Sequence, residues 1–274
     1  MSPQRFALIG WPIDQSPSPA MHNAGFAALG LDARYELRST TESELDQVFA
    51  ELEQGVWQGL NVTTPLKSAV AARVETDELA RRAGAVNTVW RDGTRLVGSL
   101  TDVLGVQRPL EHAGFSGGGE ALLLGAGGAA RAAAVALESM GTRVHVASRR
   151  QARASELLRH LSPAHAGLAL PIGELDEERE LVRRLDVIIQ ATPVRRASER
   201  HRLPWTSVKL GAFVLDMVYH PKRTAFLDDA QQAGARVLEG WEMLLEQGLA
   251  AFECFTGRTA PREAMRRALL EKIH

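Results

Sequence analysis

The chain has 274 residues, 45% of them hydrophobic and 24% charged, with a formal net charge of −1 and a single cysteine. That length is long for one hydrophobic core and fits two modest domains. The evenly mixed charge gives no electrostatic footprint for nucleic acid or an anionic membrane, the apolar runs are far too short to span a bilayer, and a lone Cys254 cannot form an intramolecular disulfide.

The first five residues, Met1 to Arg5, lead straight into an apolar run without the long apolar region of a secretory signal, so a cytoplasmic location is expected. Strands are expected near Phe6 to Gly10, Ala33 to Leu37, Gly59 to Val62 and Val86 to Trp90, with helices between them. Asp92-Gly93 predicts a hairpin turn leading into Leu96-Val97-Gly98. A helix over about Thr101 to Ala113 precedes Ser116-Gly117-Gly118-Gly119, a flexible stretch suited to the approach to a second domain. The pattern then restarts, with strands expected near Ala121 to Leu124, Arg143 to Ala147, Leu168 to Pro171, Asp186 to Gln190, Phe213 to Val218 and Arg236 to Leu238. Two helical segments, Trp241 to Phe255 and Pro261 to Ile273, close the chain. Alternating strands and helices predict an α/β fold: a mainly parallel first domain and a doubly wound, dinucleotide-binding second one.

The strongest local signal is Leu124-Gly125-Ala126-Gly127-Gly128-Ala129-Ala130, a strand running into a glycine turn and an Ala-rich helix. It matches GxGxxA, in which one glycine makes the tight turn, the next admits a pyrophosphate, and a small third residue allows close helix packing. The free amides of the helix start then face the phosphates. The following strand ends in Ser148-Arg149-Arg150, where an NAD site usually presents an acid. Two guanidinium groups and a hydroxyl suit a 2′-phosphate instead, so NADP is favoured.

Other candidates sit at strand ends. Ser16 and Ser18 lie in a Pro-stiffened turn, and Ser18-Pro19 also reads as a helix cap. Asn61 and Thr63 lie at the carboxyl end of a strand, the edge at which open α/β sheets bind ligands, with Lys67 one turn on. Taken alone, Lys67 reads as an ordinary surface lysine, and Thr101-Asp102 reads equally as a helix cap. Cys254, in an apolar helical run, reads as packing rather than a nucleophile.

Taken in order, Ser16 to Pro19, Asn61-Val62-Thr63-Thr64-Pro65-Leu66-Lys67, Gly84-Ala85-Val86-Asn87-Thr88, Thr101-Asp102, Gly125 to Ala129, Ala191-Thr192-Pro193, Asp216-Met217-Val218-Tyr219 and Met243-Leu244 with Gln247 resemble the shikimate dehydrogenase family over nearly the whole chain. The resemblance implies reversible, NADP-dependent reduction of 3-dehydroshikimate to shikimate on the route to chorismate and the aromatic amino acids. It implies a substrate-binding domain over 1–102 completed by helices in 241–274, which pack back on it, and an NADP-binding domain over 103–240.

By the same resemblance Lys67 and Asp102 form the catalytic pair. Ser16, Ser18, Asn61, Thr63, Asn87, Asp102, Tyr219 and Gln247 bind substrate. Gly125, Ala126, Gly127, Gly128, Ala129, Ser148, Arg149, Arg150, Arg153, Thr192, Met217 and Gly240 bind cofactor. No metal is expected, and the protein is expected to act as a monomer or homodimer on a small molecule, without nucleic acid or membrane. The chain departs from the family pattern at Leu100, beside Asp102, and at Ser148, Gln190, His220 and Arg223. These departures keep open a divergent quinate-type dehydrogenase acting on a related ring acid. A non-catalytic ligand sensor is a further alternative, opposed by the retention of both Lys67 and Asp102.

Overall fold

A computed structural model describes residues 3–273; Met1 and Ser2, on which part of the leader reading rests, lie outside the described residues. The chain divides into two compact units, one of residues 1–101 and 245–274, the other of residues 102–244.

The first unit contains β1 (Gln4–Gly10), α1 (Ser18–Ala28), β2 (Ala33–Ser39), α2 (Leu45–Glu53), β3 (Gly59–Val62), α3 (Lys67–Ala71), β4 (Glu75–Thr76), α4 (Glu78–Ala83), β5 (Thr88–Asp92) and β6 (Arg95–Ser99). Its sheet runs β2-β1-β3-β5-β6-β4, with β1 parallel to β2 and β3 and the β5–β6 hairpin antiparallel. Gly93 holds the hairpin turn at φ +63°, the left-handed conformation that Asp-Gly was expected to supply. Phe6 to Ile9 of β1 are all buried, as a strand flanked on both sides in a covered sheet requires.

The second unit contains α5 (Asp102–His112), β7 (Glu120–Leu124), α6 (Gly128–Ser139), β8 (Arg143–Ser148), α7 (Gln151–Leu158), β9 (Ala166–Pro171), α8 (Arg179–Val182), β10 (Leu185–Gln190), β11 (Phe213–Asp216), α9 (Ala225–Gln232) and β12 (Arg236–Leu238). All of its strands are parallel, in the order β12-β11-β10-β7-β8-β9. This is the doubly wound order, and it reverses between β7 and β10, where two strand ends part and leave room for a ligand. Leu122, Leu124, Ile188 and Val214 are wholly buried in its core.

The last helices are α10 (Gly240–Thr256) and α11 (Arg262–Lys272). The unit boundary falls within α10, between Leu244 and Leu245. In the first unit Phe252 of α10 and Met265 of α11 come so close to α1 that a Cβ on Gly25 would lie 2.8 Å from the first and 3.0 Å from the second. The closing helices therefore pack on the first domain, as the resemblance implied.

Strand ends differ from expectation where amides find other partners. Val86 donates to the Lys67 carbonyl at 2.9 Å, so β5 starts later, at Thr88. Met217 donates to Gln190 and Val218 to the carboxylate of Asp216, which ends β11 at Asp216 rather than Val218. The two-residue β4 carries no periodic signal and was not anticipated.

Candidate functional site

In the first unit, three of the expected residues meet in one buried network. The Tyr35 hydroxyl donates to Asn61 Oδ1 at 2.8 Å. Asn61 Nδ2 in turn donates to the Asn87 carbonyl at 3.1 Å and to Thr88 Oγ1 at 3.0 Å. Asn87 Oδ1 accepts the Thr101 amide at 2.7 Å, while its Nδ2 reaches Thr101 Oγ1 at 3.0 Å and Gln247 Oε1, on α10, at 3.5 Å. Asn61, Asn87 and Gln247 are thus brought together, the last two across 160 residues of sequence, each at least nine-tenths buried.

This bonding limits what Asn61 can offer a ligand. Both of its amide protons and one of its two acceptor positions are occupied, so it can only accept, and only once. A ligand hydroxyl suits it; a ligand carbonyl does not.

Thr101, the residue before α5, is tied into the same network. Its hydroxyl and amide are directed to Asn87, with Thr88 Oγ1 also at 3.1 Å. The capping reading of Ser18 fails. Pro17 holds the N-cap position without a side-chain bond, and Ser18 is the first helical residue. The reason is local: Ser16 Oγ donates to Ser18 Oγ at 3.1 Å and accepts the Ser18 amide at 3.3 Å, so the two hydroxyls serve each other. Ser16 and Thr63 remain half-buried, and Lys67, half-buried, opens α3. Thr63 sits against Gly10, where a Cβ would lie 2.5 Å from its methyl, so the glycine lets the loops after β1 and β3 close up. Leu100 is fully buried, which assigns this departure to packing. Burial pushes the half-buried Cys254 thiol up to about 11, leaving it without the thiolate a nucleophile needs.

In the second unit a pocket of about 670 Å³ opens at the carboxyl ends of β7, β8 and β10, within the range of small-ligand sites. The glycine turn after β7 supplies Gly125, Ala126 and Gly127, the turn after β8 supplies Ser148, Arg149, Arg150 and Arg153, and the loop after β10 supplies Ala191 and Thr192. Gly125 sits at φ +115°, and a Cβ there would lie 2.9 Å from the Ala191 carbonyl. A Cβ on Gly127 would meet no protein atom within 4 Å. The first glycine is thus demanded by the fold, while the second leaves space that the protein itself does not fill, which is how a backbone cradle for a pyrophosphate is built.

Arg149, Arg150 and Arg153 are exposed around this pocket, and Arg150 stands at the N-cap of α7. The Ser148 hydroxyl donates to the Arg150 carbonyl at 2.7 Å and accepts the Arg150 amide at 3.1 Å, so it shapes the basic turn. Gly128 and Ala129 begin α6. Met217 and Gly240 are not among the residues lining the pocket; Gly240 packs so closely on the chain that a Cβ would lie 2.4 Å from the Val218 carbonyl.

Sequence reasoning missed the supports of both regions. Tyr35 is one aromatic in a strand and reads as core; only pairing of β1 with both β2 and β3 brings it to Asn61. Gln190 accepts the Thr192 amide at 2.9 Å and the Thr192 hydroxyl at 2.7 Å, and His201 Nε2 lies 2.9 Å from that same hydroxyl. His201 sits in an irregular loop where no period marks it. Gln190 was visible as a departure from the family pattern, and its longer side chain is what reaches the turn.

Comparison with known proteins agrees in order along the chain. Residues 8–89 match the model of the shikimate dehydrogenase substrate binding domain, 112–202 that of shikimate/quinate 5-dehydrogenase, and 240–270 that of the shikimate 5′-dehydrogenase C-terminal domain. A shikimate dehydrogenase (NADP(+)) of Natronomonas pharaonis is 42% identical over 98% of this chain and 99% of its own. The chain belongs to the shikimate dehydrogenase family. Among solved structures, the shikimate 5-dehydrogenase of Thermus thermophilus in complex with NADP(H) and shikimate has a TM-score of 0.86 at 34% identity, covering 98% of this chain and 99% of that one. A quinate dehydrogenase of Corynebacterium glutamicum in complex with NAD has a TM-score of 0.85 at 29% identity, again over 98% and 99%. Membership of this family makes the chain an oxidoreductase acting on a secondary alcohol, and NADP is the cofactor that its curated relatives name.

Proposed function

We propose that this chain is an NADP-dependent shikimate dehydrogenase that reduces 3-dehydroshikimate to shikimate, reversibly, and that it does so in the cytoplasm as a monomer or homodimer. The observation that carries the cofactor half of the reading is Ser148-Arg149-Arg150 at the end of β8, three residues without a carboxylate beside the glycine turn. Gly125 to Ala129 would hold the pyrophosphate, and Arg149, Arg150 and Arg153 the 2′-phosphate, with Thr192, Met217 and Gly240 as further contacts.

When bound, NADPH supplies the hydride. The chain's own residues must hold the ring acid and handle the proton. Ser16, Ser18, Thr63, Asn87 and Gln247 of the first unit would bind it, with Asn61 accepting one hydroxyl. Lys67, as the ammonium, would donate a proton to the carbonyl oxygen as it becomes an alkoxide, and the oxidative direction needs the neutral amine. Asp102 and Tyr219 would complete the proposed set, the carboxylate hydrogen-bonding substrate and orienting the lysine.

The test is NADPH oxidation with 3-dehydroshikimate and, in parallel, with dehydroquinate, on wild type and Lys67→Ala. Turnover with the first ketone is expected, with kcat falling by orders of magnitude in the variant and KM changing modestly, since the lysine helps mainly in the transition state. An unchanged kcat would remove Lys67 from the chemistry. Turnover of dehydroquinate alone would assign the chain to quinate instead.

A further inference from the structure

One group in the cofactor pocket is left unused by the reading above. His201 lines the pocket together with Arg149, and its tautomer is fixed by its neighbours. Gln190 Oε1 accepts both the amide and the hydroxyl of Thr192, at 2.9 and 2.7 Å, so the single hydroxyl proton of Thr192 is committed to Gln190. The 2.9 Å contact between Thr192 Oγ1 and His201 Nε2 must then be a bond in which Nε2–H donates. A neutral His201 therefore carries its lone pair on Nδ1, which has no partner among the described residues.

We propose that His201 is a specificity-determining residue of the cofactor pocket: Thr192 holds it through Nε2, and Nδ1 supplies a proton-dependent hydrogen-bond donor to the 2′-phosphate of NADP(H) held at Arg149. The proposal rests on the placement of that phosphate given above. Neutral Nδ1 presents a lone pair to the anion and repels it. Protonated, it donates, without disturbing the bond to Thr192. In the free protein, burial first and the Arg149 charge second hold His201 below the ordinary histidine value. The charged groups around it are Arg149, Arg150, Arg153 and Glu199 in this pocket, and Arg195, Arg196 and Arg200 on the other side of its loop. A phosphate dianion offsets this positive surplus and favours the imidazolium. NADP(H) binding then takes up a proton at His201, and binding of NAD(H), which lacks the phosphate, does not.

The sign follows from linkage. A group whose affinity for its proton rises on binding strengthens that binding as pH falls, by a limit of about tenfold for each pKa unit gained. The phosphate itself titrates near pH ~6, but equally in wild type and variant, so the ratio of the two isolates His201.

The experiment is the Kd of NADPH and of NADH, by cofactor fluorescence, from about pH 8.5 to about pH 6, for wild type, His201→Gln and Arg149→Ala. Glutamine keeps an Nε2–H for Thr192 but cannot gain a proton. Wild type and His201→Gln are expected to bind NADPH equally at the alkaline end, with wild type becoming about fivefold tighter toward pH 6, and to show no pH-dependent difference for NADH. NADPH profiles that superimpose, or an equal divergence for NADH, would overturn the role of His201. If Arg149→Ala weakens NADPH no more than NADH, the phosphate placement itself fails, and the proposal with it.

Discussion

Tyr35→Phe removes one oxygen atom and leaves the ring in place. The ring is 2% exposed and stacks face to face on His22, with centroids 4.3 Å apart and planes 5° apart, so its packing survives the change. What is lost is the 2.8 Å bond to Asn61 Oδ1. Burial pushes the Tyr35 phenol well above its ordinary value, so the group is a donor at every working pH. An unpaired buried acceptor costs about 1–3 kcal/mol, partly offset because the hydroxyl no longer has to be desolvated, so a net loss of about 1–1.5 kcal/mol is expected. That corresponds to a fall in Tm of roughly 2–3 °C for a chain of this size. Function should respond too, because Asn61 loses the bond that orients its amide: KM for the ring acid rises several-fold, while KM for NADPH is unchanged. Thermal unfolding and steady-state kinetics on Tyr35→Phe, Asn61→Ala and the double variant close a cycle. Stability losses that add to within about 0.3 kcal/mol would show that hydroxyl and amide do not interact, and would refute the reasoning.

Three further outcomes are expected. Arg149→Ala should raise KM for NADPH far more than KM for NADH, and equal increases would mean that the basic turn does not read the phosphate. His22, buried with Nδ1 unpartnered, is held by burial at about 3, so below the unfolded value of 6.5 the unfolded chain binds the extra proton. Stability should therefore fall with pH below 6.5, and urea titrations of His22→Phe should be flatter there by about 1.4 kcal/mol per pH unit; parallel curves would exclude His22. Arg262 grips the buried Glu246 carboxylate with both guanidinium nitrogens, at 2.5 and 2.8 Å. Arg262→Met should cost about 2–3 kcal/mol, the lower side of the usual range because the arginine is partly solvated, and adding Glu246→Leu should recover most of it. A double variant no more stable than the single would show that losing Arg262 does not make the Glu246 carboxylate costly to bury.

The α/β class, the turn at Gly125 and the basic residues after β8 are legible in sequence because each is a local arrangement. Strand periodicity, a left-handed glycine and the residue types at one strand end all lie within a few positions of one another. The order of strands in each sheet is less local, yet the alternation of strands and helices restricts it to a few right-handed solutions, of which the second unit adopts the doubly wound one. The capping reading of Ser18 failed for the opposite reason: it carries the residue type a cap needs, but its hydroxyl found a partner at Ser16, and the Thr101 hydroxyl likewise serves Asn87 and Thr88, which local pattern does not weigh.

What only the tertiary structure decided is which polar atoms are already spent. The sequence names Asn61, Asn87 and Gln247 as candidates. It does not say that Tyr35 uses one acceptor of Asn61, that both Asn61 protons are taken, or that α10 brings Gln247 to Asn87. Nor does it tie Gln190 and His201 to Thr192. A side chain's chemistry is fixed by its type, but its free valence depends on neighbours from distant parts of the chain. Burial forces those neighbours to satisfy one another, so the bonds left for a ligand are settled only when the fold is complete.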